Sequence, residues 1–137
     1  MHINRRVRRI YKKYRTTDPF VIAKLLKIIV LFLDLPSGMF GYCRRILRRK
    51  VIAIDNKLSE TMQVYVCAHE LAHIILHNGI DHYFIKNNTL VPIGRYERQA
   101  NQFAVHLLAQ GQAREPDEPL NWFLSRCGIP EEMHQYY

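Results

Sequence analysis

Between Val66 and Ile75 the chain reads Val-Cys-Ala-His-Glu-Leu-Ala-His-Ile-Ile, two histidines four residues apart with a glutamate directly after the first. On a helix, positions i and i+4 share a face with about 5–6 Å between Cβ atoms. That lets both imidazoles reach one ion through Zn–N bonds of about 2.0–2.1 Å. Glu70 is rotated by about 100° from His69, which sets its carboxylate beside such an ion, where an attacking water would lie. A carboxylate there takes the water's proton and later delivers it to the leaving amine. His69 and His73 are therefore candidate metal ligands and Glu70 the candidate catalytic residue. Apart from Glu70, residues 66–75 carry no Asp, Lys or Arg, as expected of an active-site helix buried against a sheet.

Two histidines make a weak site, and Glu97 supplies the third ligand. It opens the segment Tyr-Glu-Arg-Gln-Ala-Asn-Gln-Phe-Ala (Tyr96 to Ala104), 24 residues after His73. Ala100 and Ala104 give that helix a stripe of small residues through which it can approach the first. Asn101 lies one turn beyond Glu97 on the same face, placed to orient a ligating imidazole from behind. Two His and one Glu leave a fourth position for water, the arrangement of a catalytic rather than a structural zinc site. We expect one Zn2+ per chain.

His77 continues the ladder of His69 and His73, but positions i and i+8 are about 12 Å apart on a straight helix, so all three cannot bind one ion. It reads as a helix-end histidine favoured by the dipole, or as a residue supporting the site or facing substrate. His2, His82, His106 and His134 have no partner visible in sequence. Candidates to polarise the scissile carbonyl beside the metal are Tyr83, Tyr96, His106, Tyr136 and Tyr137.

The elements that must carry these residues follow from periodicity and punctuation. Residues 2–15 suit an amphipathic helix, with Ile3, Val7, Ile10 and Tyr14 at helical spacing among arginines. Asp18 then caps a helix to about Lys27, with Pro19 at its first position. Ile28–Leu35, Met39–Leu47 and Lys50–Asn56 are β-rich runs separated by turn chemistry, expected as an antiparallel three-stranded meander. Ser59 caps a long helix to about Asn78-Gly79. Residues 80–94 read as irregular, Arg95 to Gln110 as a strong helix, and Leu120 to Cys127 as a short last one. The expected class is α+β: a minimal zincin-like domain whose sheet packs against an active-site helix and a second, zinc-ligand helix. Residues 1–16 form a basic N-terminal helix or arm, and residues 17–137 a single metallopeptidase domain.

Composition bounds the rest. The chain has 137 residues, 48% hydrophobic and 11% aromatic, a globular balance. No apolar run approaches the roughly 18 residues needed to span a bilayer, and the basic start has no apolar segment of signal type behind it, so no membrane partner is expected. Three cysteines without a CxxC pair suggest a reducing compartment, and we place the protein in the cytoplasm. Residues 1–50 hold 14 Lys and Arg against two acids, net +12, and residues 51–137 hold 6 against 10, net −4. The surplus in Arg5 to Arg15 and Arg44 to Lys50 fits a solvated basic face or a weak, non-specific DNA contact.

The segments His69 to His77 and Glu97 to Ala104, preceded by Thr-Asp-Pro-Phe-Val-Ile-Ala-Lys-Leu-Leu (Thr17 to Leu26), resemble the ImmA/IrrE family of metallopeptidases over about residues 17–110. The resemblance implies that His69, His73 and Glu97 hold zinc and that Glu70 is the acid/base. It also implies that the substrate is a helix-turn-helix repressor protein, cleaved to relieve repression of phage or mobile-element genes. We expect no sensor domain after the catalytic one of the kind longer members carry, and the very basic first 15 residues are outside the family pattern. One route to selectivity is strand addition at an exposed sheet edge, for which Lys50–Asn56 or its neighbour is the candidate. The alternative is a non-enzymatic, zinc-stabilised binding module that sequesters a repressor or other DNA-bound partner; the intact Glu70 argues against it, because a structural site has no use for that carboxylate.

Overall fold

The computed structural model describes residues 2–86 and 92–137. Helices α1 (Ile3–Tyr14) and α2 (Pro19–Leu25) precede strands β1 (Ile29–Leu33), β2 (Met39–Ile46) and β3 (Arg49–Asp55). Helix α3 (Glu60–Leu76), strand β4 (His82–Ile85), helices α4 (Arg95–Ala109) and α5 (Leu120–Arg126), and a final 3-10 helix over Glu131–Tyr136 follow. The class is α+β. No helix among the described residues is long and apolar enough to cross a membrane.

The helix starts follow their local chemistry. Asp18 accepts a hydrogen bond from the Phe20 amide at 2.9 Å, with Pro19 in the first turn. Ser59 Oγ accepts from the Met62 amide at 3.2 Å, satisfying one of the unpaired donors of the first turn of α3. Helix α1 buries Ile3 and Val7 and packs on α4. Its arginines and lysines mostly face solvent.

The sheet departs from the expected three-stranded antiparallel meander. Among the described residues it has four strands in the order β1-β3-β2-β4, with β1 parallel to β3 and the other two pairings antiparallel. Lys50–Asn56, expected as a candidate edge, is therefore central: β3 has a partner on both sides. The physical reason lies in its composition. Val-Ile-Ala-Ile (Val51 to Ile54) is apolar without alternation, the pattern of a strand buried along its length, and all four residues are buried. In β1, by contrast, Leu31, Phe32 and Leu33 stay 36–48% exposed, as an edge permits. A clamp at the strand ends holds the parallel pair: Lys57 Nζ binds Asp55 Oδ1 at 2.7 Å and the Leu35 carbonyl at 2.9 Å, while the Asn56 amide donates to the Leu33 carbonyl at 2.9 Å. The fourth strand, β4, arises within the stretch expected to be irregular, residues 80–94. Part of that expectation, residues 87–91, lies outside the described residues.

Gly41 lets helix α3 lie close to the sheet. A Cβ there would sit 2.6 Å from the Ala53 carbonyl oxygen and 2.6 Å from Val66 Cγ1, and the first of these is backbone that cannot yield. Helix α3 is accordingly buried without interruption from Tyr65 to His73. Helix α4 lies against it with Ala100 and Ala104 fully buried.

The loop before α5 is fastened by Arg126, which donates to Glu118 through Nε at 2.9 Å and Nη2 at 2.8 Å and to the Ala113 carbonyl at 3.0 Å. The Arg126 hydrogen bonds hold the Glu118 carboxyl down to about 2, below its ordinary 4.5. A group depressed in the folded state stabilises it fully above its unfolded pKa, and this contribution fades as pH falls through the folded value. Thermal melts between pH 6 and 2 should therefore show wild type losing its advantage over Glu118→Gln across this window. Parallel losses in the two proteins would mean that the pair contributes nothing.

Candidate metal centre

The helical spacing of His69 and His73 brings their rings to a centroid separation of 4.9 Å, with Nε2 atoms 3.2 Å apart. Glu97, in the first turn of α4, reaches across the α3–α4 contact. Its Oε1 lies 3.3 Å from His69 Nε2 and 2.7 Å from His73 Nε2. Three donors bound to a tetrahedral zinc at about 2.0–2.1 Å would lie roughly 3.3–3.4 Å from one another, so this triangle fits a zinc-sized ion with small adjustment. Both histidines are buried, while the Glu97 side chain is 32% exposed, leaving one face of the group open.

The remaining ring nitrogens are anchored from behind. Asn101 Oδ1, which can only accept, takes hydrogen bonds from His69 Nδ1 at 2.8 Å and from the Tyr65 hydroxyl at 2.9 Å. His73 Nδ1 lies 3.0 Å from His77 Nδ1, and His77 Nε2 lies 2.7 Å from Gln99 Oε1. Because Gln99 Oε1 accepts, His77 Nε2 donates, His77 Nδ1 accepts and His73 Nδ1 donates. The Nε2 lone pairs of His69 and His73 are thereby left facing Glu97. Phe84 of β4 stacks on the His69 ring at 4.1 Å and Tyr96 on His77 at 4.2 Å.

Sequence reasoning missed His82. As the first residue of β4 it sits beside Cys43 of β2, and its ring stacks on His73 at a centroid distance of 3.7 Å. Its Nδ1 lies 3.0 and 3.1 Å from the two oxygens of Glu70, and its Nε2 contacts Glu97 Oε1. His69, His73, His82 and Glu97 together present four ligand atoms, all within 4.8 Å of one another. No local signal marks His82 in the sequence; the antiparallel pairing of β4 with β2 brings it in.

Electrostatics divides these groups. Burial pushes His73 down to about 4, so its ring is neutral and its lone pair available at neutral pH. Burial also opposes a charge on His82, but its hydrogen bonds to Glu70 and Glu97 outweigh this and raise it to about 9. Burial would raise Glu97 as well, yet its contact with the His82 ring, which donates through Nε2, holds it below the carboxylate range. Without metal, the His82 imidazolium is thus the cation between two carboxylates. The buried Cys43 thiol is raised by desolvation and by Glu70 and stays protonated.

Of the carbonyl-polarising candidates, Tyr136 lines a groove of about 440 Å³ shared with His82, Tyr83, Glu97 and Asn101. Tyr96 borders a second opening of about 450 Å³ with His73 and Glu97. His106 stacks on Tyr137 at 5.0 Å, in a separate cavity beside α1.

Residues 23–118 match the profile of a peptidase family described as the IrrE N-terminal-like domain. Over 131 residues the chain is 33% identical to "Uncharacterized immunity region protein 2" of Bacillus phage phi105, covering 93% of this chain and 83% of that protein. No solved structure matches significantly.

Proposed function

The chain belongs to the IrrE N-terminal-like domain family of peptidases, and from that membership and the convergence of donors at α3 and α4 we propose that it is a zinc-dependent metallo-endopeptidase of minimal zincin-like architecture. The observation that carries the reading is the triangle of His69 Nε2, His73 Nε2 and Glu97 Oε1, backed by Asn101 and His77, with the fully buried Glu70 alongside. In this reading His69, His73 and Glu97 hold the metal. When bound, zinc supplies a Lewis acid that acidifies water and polarises the scissile carbonyl.

The chain's own residues do the rest. Glu70 takes the proton of the attacking water and passes it to the leaving amine. Asn101 and the His77–Gln99 pair fix which ring nitrogens of His69 and His73 face the ion. The groove between β4 and the final 3-10 helix offers the substrate an extended path, and strand addition falls to β4, an edge strand beside the site, in place of β3. The substrate is a helix-turn-helix repressor, met in the cytoplasm. Similarity to a protein named for a phage immunity region favours that choice.

The direct test incubates the zinc-loaded protein with a purified candidate helix-turn-helix repressor and reads intact masses. We expect defined fragments, absent when a zinc chelator is present and restored by added zinc. An intact repressor in a stable complex with the protein would overturn the protease reading and leave a sequestering module.

The exposed cations Arg5, Arg8, Arg9, Lys12, Lys13 and Arg15 make weak, sequence-independent contact with DNA part of the same proposal. Fluorescence anisotropy on duplex DNA should show affinity falling steeply with salt, and less steeply when Arg5, Arg8 and Arg9 are replaced by Gln. Equal slopes would remove DNA from the partners.

A further inference from the structure

Three histidines, rather than two, turn an Nε2 toward Glu97 Oε1 at the metal centre. An ionised carboxylate only accepts, so His82 Nδ1, at 3.0 and 3.1 Å from the oxygens of the buried Glu70, carries a hydrogen. Its Nε2 then faces Glu97 Oε1, just as Nε2 of His69 and His73 do. Each ring is tied through Nδ1 to a different partner: Asn101, His77 or Glu70. A carboxylate donating orientation to an imidazole from behind is the usual support of a metal-ligating histidine. In its neutral form His82 presents a lone pair to another acceptor, an arrangement that calls for a cation between them.

We propose that His82 is a fourth protein ligand, so that the resting metal centre is closed and Glu70 is held out of use until the imidazole leaves. This rests on the metallopeptidase reading above and adds regulation to it. A catalytic zinc site keeps one position for water, whereas four protein ligands make a closed site. With His82 in place the water position is filled, and the base that would deprotonate the water is bonded to the ring that fills it. One side chain thus blocks both components. His82 is well placed to leave, because it begins a four-residue strand that, among the described residues, lies at the edge of the sheet and pairs with β2 alone. Its side chain is only 15% exposed and lies flat on His73 at 19°, so in the resting chain it is packed in place. An extended segment adding to the outer edge of β4 acts on the strand that carries the latch, which couples substrate engagement to opening.

The test uses the full chain loaded with Co2+ or Zn2+ alone. Wild type should give the Co2+ absorption of a four-ligand tetrahedral site that azide does not alter. His82→Ala should still bind one ion, with zinc affinity at least about tenfold weaker by chelator competition, and its Co2+ spectrum should shift on adding azide because a position is open. X-ray absorption of zinc-loaded wild type counts the ligating imidazoles without any variant: three support the proposal and two overturn it. Wild type responding to azide like His82→Ala, with equal zinc affinity, would also overturn it. If wild type binds no zinc at all, the metallopeptidase reading fails first, so the two failures are distinguishable.

Discussion

Replacing His73 or His69 by alanine should weaken zinc binding by at least about a hundredfold, since loss of a partner behind a ligand already costs roughly 10–100-fold and here a ligand itself is removed. The His73 change reaches further than one donor. It removes the surface on which the His82 ring stacks at 3.7 Å and deprives His77 of its Nδ1 partner, so a buried imidazole loses a hydrogen bond along with the metal. Glu97 would keep His69 and His82 as neighbours, enough to hold a carboxylate but with one corner of the donor triangle gone. Metal analysis should find one zinc per wild-type chain, with chelator competition separating the variants. Full occupancy and unchanged affinity in either variant would remove both histidines from the site. Because zinc favours the folded state by binding it, wild type should also melt lower after chelation, and the alanine variants should lose that difference.

What the sequence revealed was local. The caps at Asp18 and Ser59 act within three residues, and each forms as its residue type dictates. The spacing of His69 and His73 needs only the helical repeat. Glu97 and Asn101 became readable because α4 is strongly helical and its alanines mark the contact with α3. The strand order was not local. Nothing in Ile29–Leu33 itself states that its partner is Arg49–Asp55 rather than the next strand along; the parallel pairing is settled by the demand of an all-apolar β3 for partners on both sides and by Lys57 tying Asp55 to the Leu35 carbonyl. The unbroken run Val51 to Ile54 was the available signal, and it speaks for a central strand. His82 depends on that same non-local pairing, since only the fourth strand brings it between Glu70 and Glu97. A residue whose position follows from sheet order is invisible to any reading of spacing.

Replacing Glu70 by glutamine should leave fold and zinc in place and lower cleavage by about 10²–10⁴-fold, the range that a positioned acid/base supplies. The change is isosteric. Glu70 is fully buried and its oxygens meet His82 Nδ1, while Oε1 of Glu97 is the carboxylate oxygen that faces the His69 and His73 Nε2 atoms. Glutamine keeps one carbonyl oxygen to accept from His82, so the side chain retains its anchor and the ligand triangle keeps its donors. What it loses is the capacity to take a proton from water. Repressor binding should survive, which sets this variant apart from one that merely misfolds. Three readings on one preparation decide the matter: zinc content, melting temperature and fragment yield by mass spectrometry. Cleavage within tenfold of wild type, at equal zinc content, would show that Glu70 is not the base. Complete loss of zinc would instead show that its contact with His82 holds the centre together, making it a positioning residue.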